Sequence, residues 1–217
     1  MKVVIPGFRE ADIKTTVASK QTRVDGESFI VDWGNSAYAK HKEEFTRATE
    51  SVRRLLGACF VVQCNHHSTI VSKRLDPSDR PSGTTPPKWT DLSFSSCRKI
   101  FAQHLRDFEL ELQLCVLASG GTIQLVYRDE TVMPRIRQDL INLGAEVKPG
   151  TLDGDRMNTC TVVLGYLTRV PEHDIGANDV TAAISVPPKI KVTHASLVQY
   201  SDTSLNVYDT LERFEGA

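Results

Sequence analysis

Apolar and polar positions alternate most clearly after residue 108. Phe108, Leu110, Leu112 and Leu114 are interleaved with Glu109, Glu111 and Gln113, and Ile123, Leu125 and Tyr127 return beyond Gly120-Gly121. A period of two sends successive side chains to opposite faces, so this stretch predicts two antiparallel strands with one wet face. Thr131 then caps a helix with Ile136, Leu140 and Leu143 inward and Gly144 at its end. Thr159–Thr168 is a further apolar strand, which makes the unit β–β–α–β.

Upstream, Asp25-Gly26 predicts a tight hairpin, because a type I′ turn needs positive φ at both central positions. One arm carries Phe29, Val31 and Trp33; the other runs from Lys14 to Val24 and is polar on both faces. Burial specifies the register of such a strand weakly, so it reads as a solvated edge. The sharper expectation is an edge that pairs with another chain through Lys14, Thr16, Ala18, Lys20 and Thr22.

Helical spacing dominates from Ser36 to Leu56, where Tyr38, Phe45, Ala48, Val52 and Leu55 form a stripe opposite Lys40, Glu44, Arg47, Glu50 and Arg54. Cys59–Val71 reads as one or two strands. Asp76–Asp91, rich in proline, reads as a long surface loop, and Ser93–Leu105 as a short helix with Phe94, Cys97, Phe101 and Leu105 on one side. The arm over 171–217 is less regular. Val180, Ala182, Ile184 and Val186 alternate, Ile190 and Val192 resume after Pro187-Pro188, and Val207, Leu211 and Phe214 suggest a terminal helix. These elements predict one α+β domain over 1–217, a mostly antiparallel sheet with two or three packed helices.

Composition narrows this picture little. The chain has 217 residues, a formal net charge of −1 and no block of Lys and Arg, which argues against a basic arm that neutralises many phosphates. Five cysteines, scattered through strand-like runs, suit reduced thiols better than a disulfide framework. No signal peptide opens the chain, and no apolar run reaches the roughly 20 residues of a membrane span. The expected location is the cytoplasm or a virion, with no secretion through a signal peptide.

Candidate chemistry is sparse. Cys64 and His66 share a strand face and are the nearest approach to a zinc site, but a second ligand pair is missing. Glu109 and Glu111 are spaced like the solvent side of a strand. No phosphate-cradling glycine loop, GxSxG or HExxH is present, so no catalytic residue and no cofactor is assigned. Lys40, Arg47, Arg53, Arg54, Lys73, Arg74, Arg98 and Lys99 would form a nucleic-acid groove if folding gathered them. The resulting expectation is a non-enzymatic, self-associating structural protein of the viral coat or matrix kind. An RNA- or DNA-binding protein using a folded basic groove is the first alternative, and an enzyme without a recognisable motif the second.

Overall fold

The alternation after residue 108 is the spine of a six-stranded sheet. The computed structural model describes residues 1–75, 94–147, 152, 154–202 and 205–216; the proline-rich loop expected over Asp76–Asp91 lies outside them. Strands β1 (Lys2–Val4), β5 (Glu109–Leu117), β6 (Thr122–Arg128), β7 (Thr159–Leu167) and β3 (Phe60–Val62) form the sheet in that order, with β8 (Lys189–Lys191) also on β5. Only β1 runs parallel to its neighbour. A second sheet has the order β10 (Tyr208–Glu215), β9 (His194–Asp202), β2 (Arg23–Asp32), β4 (His67–Arg74), antiparallel throughout. With helices α1 (Glu10–Gln21), α2 (Ala39–Leu56), α3 (Phe94–His104), α4 (Met133–Asn142) and α5 (Ala177–Ala183), the fold is α+β, with five helices among the described residues where two or three were expected.

The predicted β–β–α–β unit is β5, β6, α4 and β7. Its alternation is visible in burial: Ile123, Leu125 and Tyr127 of β6 and Cys160, Val162 and Leu164 of β7 are sealed, while the residues between them are half-exposed. The sealed face meets α2, where Phe45 lies edge-on to Tyr127 at 6.4 Å between ring centroids. Helix α2 buries Phe45, Ala48, Val52 and Leu56, whereas Leu55, expected in the same stripe, is exposed. On the second sheet, Phe29 packs against both Phe101 of α3 and Phe214 of β10, and those two rings stack on each other at 4.6 Å.

Four expectations are corrected. The segment read as a strand over Lys14–Val24 is mostly α1. Ile13 is fully buried and Val17, one turn on, packs against the same core. The Thr15 and Thr22 hydroxyls donate to the carbonyls of Ala11 and Ala18, four residues back, and Lys14 pairs with Glu10 at 2.8 Å. A helix resting on the surface through so narrow a contact is polar nearly all round, like an open strand. Lys14, Thr16, Ala18, Lys20 and Thr22 therefore present no strand edge for another chain. Asp25-Gly26 is not a turn either but lies inside β2, which pairs with β9 on one side and β4 on the other. Gly26 is required there because the Tyr200 ring occupies the space a Cβ would take.

The terminal helix expected from Val207, Leu211 and Phe214 is strand β10. Its register on β9 slips between Thr210 and Glu212, leaving Leu211 as the unpaired residue. That bulge breaks the alternation and creates a spacing of four and three that imitates a helix. Conversely, the alternating Val180, Ala182, Ile184 and Val186 fall on α5 and the chain beyond it. No helix among the described residues is long and apolar enough to cross a membrane.

Candidate functional site

The helix-covered faces of the two sheets are tightly packed; their other faces leave a cleft of about 580 Å³. One wall is β4 from Thr69 to Ser72, the opposite wall is β7 from Thr159 to Thr161, and Gln124 and Val126 of β6 continue the second wall. Strand geometry selects these residues. Thr159 and Thr161 alternate with buried Cys160 and Val162, so both threonines face the cleft. On β4, Thr69 is exposed between buried Ser68 and Ile70. Toward the start of β2 the lining becomes apolar, with Val24, Tyr200 and Leu205, which pack with Ile30 and Val198 in a separate small cluster.

Strands β4 and β7 belong to different sheets and share no ladder of backbone hydrogen bonds. Arg137 of α4 joins them. Its guanidinium, 2% exposed, donates from Nε to the Ile70 carbonyl at 2.7 Å and from Nη2 to that of Thr69 at 3.2 Å. Nη1 donates to the carbonyls of Arg156, Met157 and Thr159 at 2.6, 2.8 and 2.8 Å. None of these partners is a carboxylate. Burial pulls the pKa down to about 10, so the group stays charged at neutral pH and its charge stands beside the cleft. Asp129 holds α4 in place: its Oδ1 accepts from the backbone N–H of Thr131 at 3.0 Å and of Met133 at 2.8 Å. The cap is therefore Asp129, not Thr131.

Other titratable groups divide by burial. Complete burial pushes the Cys160 thiol up to about 11, although the Arg137 charge opposes the shift, so at neutral pH it is a thiol and a poor nucleophile. His67, on the same face of β4 as Thr69, has Nδ1 3.1 Å from the Asn65 carbonyl. Since a carbonyl only accepts, Nδ1 carries the proton and Nε2 is the basic nitrogen. His66 points the other way, into the core beside Phe45, with Nε2 2.9 Å from Thr49 Oγ1. Burial pushes its pKa down to about 4.

The residues singled out from sequence are not gathered here. Cys64 is exposed and His66 buried, and no cluster of three or more His, Cys, Asp or Glu suited to a metal occurs among the described residues. Lys40, Arg47, Arg53 and Arg54 lie exposed along α2, Arg53 bonded to Glu50. Arg98 and Lys99 are on α3, with Arg98 held by Glu212 at 2.6 Å. Lys73 is buried against Glu27, with Arg74 beside it at the end of β4. Glu109 pairs with Lys189 on the neighbouring strand. The cleft residues Thr69, Thr159 and Thr161 were not singled out. Arg137 did leave a signal: it shares the inward side of α4 with Met133, Ile136 and Leu140, all buried, and a charge in an apolar stripe needs a partner.

No protein-family model and no curated protein matches the chain in sequence. The fold is similar to that of a conserved protein of unknown function from Agrobacterium tumefaciens, with a TM-score of 0.55 at 10% identity over 89% of this chain and 88% of that one. E. coli LigT complexed with 3'-AMP aligns at a TM-score of 0.45 and 12% identity, over 90% of this chain and 99% of that one. A structure described as a phosphoesterase aligns at 0.43 and 10% identity, over 89% and 99%. At such identities the likeness is one of fold. None of the three is described as a coat or matrix subunit, and the strand edge that motivated a self-assembling capsid or other structural viral protein is helix α1. That expectation, and the virion location with it, is corrected.

Proposed function

We propose that the cleft binds a phosphorylated ligand of mononucleotide size, or the end of an RNA chain, and that the protein is a phosphoester-processing enzyme. The observation that carries this reading is the pairing of hydroxyls on both walls with a buried guanidinium that, among the described residues, has no carboxylate partner. A phosphate offers several acceptor oxygens and negative charge. Thr69 and Ser72 on one wall and Thr159 and Thr161 on the other offer donors to it, and the Arg137 charge favours an anion in a site of lowered dielectric. A volume of about 580 Å³ lies inside the range of small-molecule sites, and the apolar end beside Tyr200 suits a base or another flat group. LigT is too distant for its ligand to bear on this cleft; the reading stands on the cleft's own chemistry.

In the enzymatic step water would attack the phosphorus while the bond to the leaving alcohol breaks, and His67, two residues from Thr69 on the same face of β4, would accept the water proton or return one to the leaving oxygen. The threonines would hold the phosphate and do not themselves react. Calorimetric titration with AMP and with inorganic phosphate tests binding; release of nitrophenol from bis(4-nitrophenyl) phosphate tests turnover. Saturable binding of AMP, with turnover lost and binding kept in His67→Gln, is the expected result. No heat from either ligand at millimolar concentration overturns the reading.

A further inference from the structure

We infer that Arg137 is the positioning residue of the cleft: its guanidinium, in place of a strand ladder, sets the distance between the β4 and β7 hydroxyls and selects an anionic ligand. For its ligand this rests on the phosphate reading above.

The two walls come from different sheets, and backbone hydrogen bonding does not fix their spacing. Arg137 does so from behind. It bonds the carbonyls of Thr69 and Ile70 on one side and those of Arg156, Met157 and Thr159 on the other. Two of those carbonyls belong to Thr69 and Thr159, whose side chains line the cleft, so a shift of the guanidinium moves both hydroxyls. The other carbonyls on the β7 side come from the short 3-10 turn Gly154–Asn158, which delivers the chain into β7. A planar fork with five N–H donors can serve two strands at once, whereas an ammonium on a flexible stem cannot hold the same set.

The clamp also leaves a charge. Carbonyl dipoles stabilise the cation without cancelling it, and among the described residues no carboxylate bonds it; Glu146, the carboxylate in the cleft lining, accepts from the Leu75 backbone instead. An anion in the cleft therefore gains what a neutral analogue of the same shape does not. AMP and adenosine differ by that phosphate alone, which makes their affinity ratio a readout that a purely structural role would leave unchanged.

The test starts without ligand. In nitrogen-15 spectra of the intact chain at neutral pH, the Arg137 side-chain N–H groups should exchange slowly with water and give separate signals; exchange as fast as that of surface arginines overturns the clamp. AMP and adenosine are then titrated into Arg137→Lys and Arg137→Met, each checked for native dispersion. Arg137→Lys should lose at least tenfold in AMP affinity while still preferring AMP to adenosine. Arg137→Met should lose that preference. AMP binding by Arg137→Lys equal to that of the natural chain overturns the proposal. If the natural chain binds no AMP, the phosphate reading fails and the exchange measurement alone decides the clamp; it also decides if neither variant folds.

Discussion

Lys73 and Arg137 are both buried, at 7% and 2% exposure, and they meet that burial in opposite ways. Lys73, on β4, has Nζ 3.0 Å from Glu27 Oε2 on the neighbouring β2. The oxygen is not aligned for a hydrogen bond, but the pair is neutral as a unit and lies toward α3, where the lysine charge reaches Cys97. Arg137 has five carbonyls and, among the described residues, no counter-ion. A buried ion pair weakens its own field at a distance, and what is left of the lysine charge acts on nearby Cys97. A buried cation held only by dipoles keeps a field, and that field has to end on something; here the cleft is beside it.

Mutation separates the two cations. The largest expected effect is that of Arg137→Met, which leaves several buried carbonyls without donors and should lower stability by about 3–5 kcal/mol in urea denaturation. A loss under about 1 kcal/mol would mean that the clamp holds nothing. Lys73→Met should cost about 3 kcal/mol by stranding Glu27, and the double change with Glu27→Leu should recover most of it, since a neutral pair can be replaced by apolar side chains of similar volume. No single partner change should rescue Arg137→Met in that way. If one does, the two cations are not different in kind.

His66 sharpens the comparison with a buried base that escapes charge altogether. Its pKa falls from 6.5 to about 4 through burial, with the neighbouring His67 and Lys42 charges adding to the shift. Because the unfolded chain takes up this proton first, the contribution is fully present above about pH 6.5. It is lost as pH falls toward 4, about 3 kcal/mol in total. In His66→Gln that part of the pH dependence should vanish; an unchanged acid limb would assign it to another group. The smallest effect on stability is expected from Thr161→Val, within about 1 kcal/mol, yet AMP affinity should drop about tenfold, equivalent to about 1.4 kcal/mol. Unchanged affinity would remove Thr161 from the site.

Local periodicity explains which elements were legible. The β5–β6–α4–β7 unit was readable because each strand has one sealed and one half-open face, and α4 carries a narrow apolar stripe. The strand reading of α1 failed because only Ile13 is sealed within it, too little pattern to tell a surface helix from an edge strand. β10 failed because Leu211 sits in a bulge, and one extra residue is enough to change a period of two into an apparent period of 3.6. In the Asp25-Gly26 pair, glycine answered to a tyrosine ring from β9, a demand that turn chemistry does not encode.

For the cleft the division is sharper. The sequence by itself determined an α+β chain, its central β–β–α–β unit and its main helix, because those follow from side chains a few residues apart. Only the tertiary structure decided that Thr69 and Thr159, 90 residues apart, line the same cleft, and that one guanidinium holds both backbones. Neither threonine carries any local mark of that role. Their meeting depends on how two sheets approach each other, and the carbonyls that receive Arg137 look alike in every sequence.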